Sequence, residues 1–150
     1  MDARDENGDS MLITSTVNFG ADKIRELVAH GAVDIPGTDG YTALLTATRD
    51  GSVDIARELL KSHKPALDVQ GVDGCSPLIL AVRNGEVEII AQIISLGANL
   101  NLRDESGRSA LDYAERYLQW SRRKTNNPHT KAYREKLRAL AALMKSMGAT

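Results

Sequence analysis

Residues 73–101 read DGCSPLILAVRNGEVEIIAQIISLGANLN, and this stretch decides the fold. Ser76 can cap a helix through its hydroxyl, and Pro77 stands at the first helical position, where its missing N–H costs nothing. Gly85 predicts the end of that helix, because glycine readily adopts the left-handed conformation that terminates helices. Apolar residues then recur at helical spacing over 87–94, which predicts a second helix. The stretch therefore predicts a turn, a short helix, another turn and a second helix.

The same pattern recurs along the chain at a nearly constant interval. Glycines before a Ser/Thr-x-Leu group are almost evenly spaced, at Gly8, Gly40, Gly74 and Gly107. The groups after them read Ser10-Met11-Leu12, Thr42-Ala43-Leu44, Ser76-Pro77-Leu78 and Ser109-Ala110-Leu111. A regular period of this length predicts a stack of similar helix-turn-helix units.

On these motifs the chain resembles ankyrin-repeat proteins. The resemblance implies an all-α solenoid of stacked helix-turn-helix units joined by β-turn or hairpin loops. It implies one domain over residues 1–150, with repeats near 5–36, 37–70, 71–103 and 104–150. The family's histidine after the leucine is absent, so some bonds between neighbouring turns must come from elsewhere. The residues at its position are Ile13, Leu45, Ile79 and Asp112.

The fourth repeat departs from the others. It lacks the glycine that should end its first helix, so we expect that helix to continue to about Arg123. The polar residues 125–129 then break it, and a long helix is expected from about Thr130 to Met147. Terminal repeats are often modified because one of their faces meets water.

Charge is distributed unevenly along the chain. Residues 1–106 hold 9 Lys/Arg and 17 Asp/Glu, a net charge of −8, whereas residues 107–150 hold 10 and 3, a net charge of +7. Such a dipolar molecule can orient a charged partner during encounter. The alternative is an ordinary solvated surface with unevenly placed charges.

Cysteine content and hydropathy bear on the compartment. The single cysteine, Cys75, allows no intramolecular disulfide and favours a reducing compartment. The polar N-terminus lacks the apolar core of a signal peptide, and no stretch has the length of a membrane span. We expect a cytoplasmic protein with no membrane partner, and delivery into another cell stays open.

The resemblance implies recognition by a concave face of turn tips and first helices. At the turn tips the matching candidates are Thr38, Tyr41, Val72, Glu105 and Arg108, with Glu6, Asp9 and Cys75 at equivalent positions. On the first helices Arg49, Arg83 and Arg116 recur at the repeat interval and should form a row. Guanidinium groups in a row could bind carboxylates of an acidic partner. The alternative is a solvated surface on which Asp50 neutralises Arg49.

The fourth first helix carries a second candidate surface. Tyr113, Tyr117 and Trp120 lie at i, i+4 and i+7, nearly opposite the expected core residues Leu111, Ala114 and Leu118. Tyrosine, tryptophan and arginine are enriched at binding hot spots. The alternative is that the loop at Asn127 or the C-terminal helix covers these rings.

No catalytic, cofactor or metal motif stands out in the sequence. The three histidines lack metal-ligand spacing, and no phosphate-binding glycine loop is present. We therefore expect a monomeric protein-binding module, not an enzyme, that acts on an acidic or mixed-charge protein as an inhibitor, adaptor or immunity-type protein. The alternatives are nucleic-acid binding through the basic C-terminal segment around Arg122-Arg123-Lys124, an enzyme site completed by another molecule, and a cap of a larger assembly.

Overall fold

The computed structural model describes Arg4 and residues 10–124 and 127–149. The predicted turn residues Glu6, Gly8 and Asp9, and residues 125–126 of the predicted break, lie outside this part. The described residues form eight helices and no strand, with one isolated bridge between Arg4 and Ser10. The helices are α1 Met11–Asn18, α2 Ala21–Ala29, α3 Ala43–Arg49, α4 Val53–Leu59, α5 Pro77–Asn84, α6 Val87–Ser95, α7 Ala110–Lys124 and α8 Pro128–Ser146.

The helices pack as antiparallel pairs that stack in chain order. The first helices α1, α3, α5 and α7 contact one another in sequence, and so do the second helices α2, α4, α6 and α8. Each unit thus buries its apolar faces against its neighbours, which is how repeat arrays gain stability. The core is aliphatic, and Leu44, Ile79, Ile90 and Leu137 are among its fully buried side chains. The predicted all-helical stack is confirmed.

Hydroxyl caps begin the first helices as predicted. The Ser10, Thr42 and Ser76 hydroxyls accept hydrogen bonds from the backbone N–H three residues later, at 3.1–3.4 Å. In the fourth pair the Ser109 hydroxyl accepts from the Asp112 N–H at 3.3 Å, and the Asp112 carboxylate accepts from the Ser109 N–H at 2.9 Å. This reciprocal arrangement is a capping box, so Asp112 has a capping role where the family has histidine.

Polar side chains connect neighbouring turns and helices where the family's histidine is absent. The buried Asp34 carboxylate accepts from the backbone N–H groups of Ala43 and Leu44 at 2.7 and 2.9 Å. The Gln70 amide donates to the carbonyls of Gly74 and Arg103 at 2.7 and 2.8 Å. Asn84 donates to the Thr48 carbonyl at 2.6 Å, which joins the ends of α5 and α3. These bonds stabilise the stack through groups that differ from one junction to the next.

The third and fourth turns approach each other closely at Gly74. Its φ is +74°, and a Cβ placed there would lie 2.7 Å from the backbone nitrogen of Glu105. That nitrogen donates to the Asp73 carbonyl at 3.1 Å. Glycine is therefore required at this position by both conformation and space.

The fourth pair is longer than the others, as predicted. α7 has 15 residues, against seven or eight in α1, α3 and α5. α8 begins at Pro128, two residues before the predicted start, because the Asn127 side chain caps it by accepting from His129 N–H at 2.9 Å. Leu137 and Met144 of its predicted apolar stripe are fully buried, while Tyr133 and Leu140 are partly buried. The pair packs on the third pair through the α5–α7 and α6–α8 contacts.

Candidate protein-binding surface

The three arginines predicted to form a row differ in their surroundings. Arg49 Nε lies 3.2 Å from Asp50 Oδ1, and its guanidinium lies 4.8 Å from the centroid of the Tyr41 ring. Arg83 donates to Cys75 Sγ at 3.3 Å. Arg116 is exposed, and no carboxylate in the described part of the chain pairs with it. The neutralisation of Arg49 by Asp50, left open by the sequence, is present.

Tyr113 lies at the centre of a polar cluster at the start of α7. Its ring centroid is 5.7 Å from the Arg83 guanidinium and 5.9 Å from that of Arg108. Its hydroxyl donates to the Asp104 carboxylate, and this hydrogen bond raises the pKa of the Tyr113 phenol. The cluster joins the fourth turn to α5 and holds Tyr113, Arg83 and Arg108 in fixed positions.

The two aromatic residues further along α7 have different environments. The Tyr117 ring packs edge-on against Tyr133 of α8, with 5.0 Å between centroids, and lies 5.9 Å from the Trp120 ring. Burial raises the pKa of Tyr133 to about 12. Trp120 remains 51% exposed. The C-terminal helix therefore covers one side of Tyr117 and leaves half of the Trp120 surface in solvent.

One face of α7 forms a surface that we name the α7 stripe. It comprises the half-buried Tyr113 and the exposed Arg116, Trp120 and Arg123. These residues follow one another at i, i+3, i+7 and i+10, so they share one face of the helix. A shallow surface cavity of about 620 Å³ adjoins the stripe. Its lining is Arg116, Gln119, Trp120, Arg122 and Arg123. This lining combines three guanidinium groups with one large aromatic ring and contains no carboxylate.

The turn-tip candidates divide into surface and interior residues. Thr38 and Glu105 are exposed, Val72 is 70% exposed, and Arg108 is half-buried. Tyr41 is only 8% exposed, which differs from the surface position expected of it. The reason is Gly71, whose missing side chain leaves the space that the Tyr41 ring fills. A partner can therefore reach little of the Tyr41 ring.

Cys75, at an equivalent turn position, is also inside the molecule. It is 1% exposed, and burial raises the pKa of its thiol to about 11. The nearby Asp73 carboxylate acts in the same direction, whereas Arg83 opposes it. Cys75 thus stays a neutral thiol at physiological pH and fills space in the core.

The ankyrin-repeat family model matches residues 39–71 and 73–105, which hold the second and third helix pairs. The chain therefore contains two adjacent ankyrin repeats over these residues. A comparison with curated proteins found no significant match. Ankyrin repeats generally mediate interactions between proteins.

Two further observations concern membrane spans and metal sites. No helix in the described part is long and apolar enough to cross a membrane. Among the same residues, no group of His, Cys, Asp and Glu side chains could hold a metal ion.

Sequence reasoning missed the ion pairs that join the second helices α2, α4 and α6. Arg25 pairs with Glu58 at 3.2 Å, and Arg57 pairs with Glu88 at 2.9 Å. The signal was present, because each pair joins opposite charges about one repeat apart. Gln119 also lines the α7 cavity and was not among the predicted surface residues. The one signal for it in the sequence is its position one helical turn from both Arg116 and Arg123.

Proposed function

We propose that this chain binds a protein partner with an acidic or mixed-charge surface, using the concave face of turn tips and first helices. It acts as an inhibitor, adaptor or immunity-type protein that masks or recruits this partner. The observation that carries the proposal is the α7 stripe, where Trp120 is half exposed beside an Arg116 that no described carboxylate neutralises. The residues assigned to the surface are Thr38, Arg49, Val72, Arg83, Glu105, Arg108, Tyr113, Arg116, Tyr117 and Trp120, with the edge of Tyr41.

The chemistry of the stripe supports a protein ligand. Arg and Trp dominate binding hot spots because they combine a large contact area with directed polar groups. Arg116 provides a planar fork that matches a carboxylate, and Trp120 provides apolar area next to it. The positive charge of residues 107–150 would orient an acidic partner toward this end of the stack.

The proposal also covers the oligomeric state, the compartment and the number of repeats. We propose that it acts as a monomer in the cytoplasm, a reducing compartment that suits the free, buried thiol of Cys75. We also propose that the first and fourth helix pairs count as repeats, with the boundaries predicted from the sequence.

Nucleic-acid binding is the second candidate, and the lining of the α7 cavity favours it. Arg122 and Arg123 can contact phosphates, and an exposed tryptophan can stack on a base. Against it stands the net charge of −8 over residues 1–106, which repels a long polyanion. We therefore rank it below a protein partner.

Affinity purification of the tagged chain from its native cells tests the proposed function. The decisive variant is Arg116→Ala/Trp120→Ala, because both side chains are exposed and their removal should leave the fold intact. The matched control is Lys131→Ala/Lys136→Ala, which alters two exposed residues of α8 outside the stripe. Circular dichroism checks that all proteins stay folded, and each captured protein is purified and its binding measured directly.

The expected result is a protein that binds the wild type and the α8 control directly but loses at least about tenfold affinity for the stripe variant. A partner that binds all three proteins equally would contradict the concave-face site. A captured nucleic acid whose affinity falls steeply with salt would instead support the second candidate.

A further inference from the structure

We propose that the projecting end of α7 binds a short acidic segment of the partner that carries one large apolar side chain. This inference rests on the proposed function and names the part of the partner that is recognised. The segment's carboxylates pair with Arg116, Arg122 and Arg123, and its apolar side chain packs on Trp120.

The first argument is that α7 extends beyond the stack. The N-caps Ser76 and Ser109 are equivalent, so the last residue of α5, Asn84, corresponds to Tyr117. Residues 118–124 therefore continue the helix past the end of α5 by seven residues. At about 1.5 Å per residue this extension is ~10 Å long. It gives a ligand a surface that the shorter first helices lack.

The second argument is that the extension is held in place before any ligand arrives. Tyr133 packs against Tyr117 on one side, and the Tyr133 hydroxyl lies over Gly85, where a Cβ would be only 3.3 Å from it. Arg134 donates to the Ser121 carbonyl at 3.0 Å, which ties α8 to the projecting turn. A surface that is already ordered loses little entropy on binding.

The third argument comes from the pairing of arginines across the molecule. On the second helices Arg25 and Arg57 are paired with Glu58 and Glu88, and in the fourth turn Arg103 is paired with Asp112 at 3.0 Å. The three arginines that line the α7 cavity differ from these.

In the described part of the chain, no carboxylate pairs with Arg116, Arg122 or Arg123. Three like charges around one cavity repel one another, so carboxylates of a ligand would relieve this repulsion as well as form hydrogen bonds. The uncompensated charge therefore indicates an anionic ligand.

The fourth argument concerns the size and type of the ligand. A cavity of about 620 Å³ holds a few residues of a peptide, and half of the Trp120 ring faces solvent beside it. A short acidic segment contacts only the arginines around this cavity. A long nucleic acid would also meet the acidic repeats, whose net charge over residues 1–106 is −8. The geometry and charge thus favour a peptide segment.

The test uses synthetic, fluorescently labelled peptides of equal length and the full chain. The first peptide is rich in Glu with one central Phe, the second has Ser in place of Phe, and the third has Gln in place of every Glu. A single-stranded thymidine oligonucleotide is the fourth probe. Binding is measured by anisotropy, and the fluorescence of Trp120, the chain's one tryptophan, reports contact at the stripe.

Three variants place the interaction on the molecule. Arg122→Ala/Arg123→Ala removes two charges of the cavity, and Trp120→Ala removes the ring. Lys131→Ala/Lys136→Ala removes the same number of charges from exposed positions on α8. All of these side chains are exposed, so the folds should be preserved, as circular dichroism will check.

The expected result is tightest binding of the Glu-rich peptide with Phe, with a change in Trp120 fluorescence. Binding should weaken by about tenfold in Arg122→Ala/Arg123→Ala and in Trp120→Ala, and by less than about twofold in the α8 control. Replacing Phe or all Glu in the peptide should each cause a similar loss.

Three results would overturn the inference. They are no binding of the Glu-rich peptide, an equal loss in the cavity and α8 variants, and tighter binding of the oligonucleotide. If one of these occurs while the native partner still depends on Arg116 and Trp120, the proposed function stands and only the acidic-segment inference fails.

Discussion

The close approach of the third and fourth turns makes Gly74→Ala a sharp test of the stacking. Gly74 and Gly107 occupy equivalent positions with nearly the same φ, +74° and +72°. A Cβ on Gly107 would meet no atom within 4 Å, whereas one on Gly74 would lie 2.7 Å from Glu105 N and 2.9 Å from Asp104 Cα. The two substitutions share the backbone strain and differ only in the contact with the next turn.

The magnitudes follow from this comparison. Placing alanine in the left-handed conformation costs about 1–2 kcal/mol, which is the whole effect expected for Gly107→Ala. Gly74→Ala adds the cost of displacing the backbone at 104–105, about 1–3 kcal/mol, and weakens the hydrogen bond from Glu105 N to Asp73 O, worth about 1 kcal/mol. We expect Gly74→Ala to lower the free energy of unfolding by about 2 kcal/mol more than Gly107→Ala does.

Urea unfolding followed by far-ultraviolet circular dichroism measures both variants. Gly40→Ala is a second control, since its φ is +79° and its Cβ would also meet no atom within 4 Å. Equal losses of stability in all three variants would refute the reasoning, because the packing of the third turn against the fourth would then contribute nothing.

Two further predictions concern stability. Burial raises the pKa of Asp34 to about 6, so from about pH 4 to 6 the unfolded chain releases this proton while the folded chain keeps it. The stability contributed by Asp34 should therefore fall as pH rises, by up to about 3 kcal/mol. In urea titrations, the free energy of unfolding of the wild type minus that of Asp34→Asn should decrease accordingly between about pH 4 and 6. A difference that does not change with pH would contradict this. In α8, Leu137→Ala should cost about 2–5 kcal/mol because Leu137 is fully buried, whereas Leu143→Ala, at an exposed position of the same helix, should cost about 0.5 kcal/mol or less by thermal unfolding. Similar losses for the two leucines would mean that α8 does not pack on the stack as described.

The fourth helix pair shows how far local sequence signals reach. Leu118 stands where a glycine would end the first helix, and this absence correctly predicted that α7 continues. Nothing else in that segment stops a helix before the polar residues 125–129. The start of α8 was placed two residues late because Asn127 acts as the N-cap of a helix whose first residue is Pro128. Both features are read from neighbouring residues, and errors at helix ends are correspondingly small.

The exposure of a side chain depends on residues that are distant in the sequence, so neighbouring residues do not predict it. Tyr41 and Arg108 occupy equivalent turn positions, yet Arg108 is half-buried and Tyr41 fills the space that Gly71 leaves at the following turn. Arg49 and Arg116 share a repeat position, and each has an acidic residue next to it in the sequence. Arg49 pairs with its neighbour Asp50, whereas the neighbour of Arg116, Glu115, pairs with Lys145 of α8. A repeat position therefore predicts where a residue lies in the stack, and the residues packed around it decide what its side chain contacts.

The sequence by itself determined the helix pairs, their hydroxyl caps and their stacking order, because each repeat contacts mainly its neighbours and its signals recur once in every repeat. Only the tertiary structure decided which functional candidates remain accessible. Tyr133 of α8 packs against Tyr117 but leaves Trp120 half exposed. Packing also brings Arg116, Arg122 and Arg123 to one cavity beside Trp120. The exposure of a side chain and the ion pairing of an arginine depend on the chain segments that packing brings beside that residue. The repeat pattern of the sequence does not contain this information.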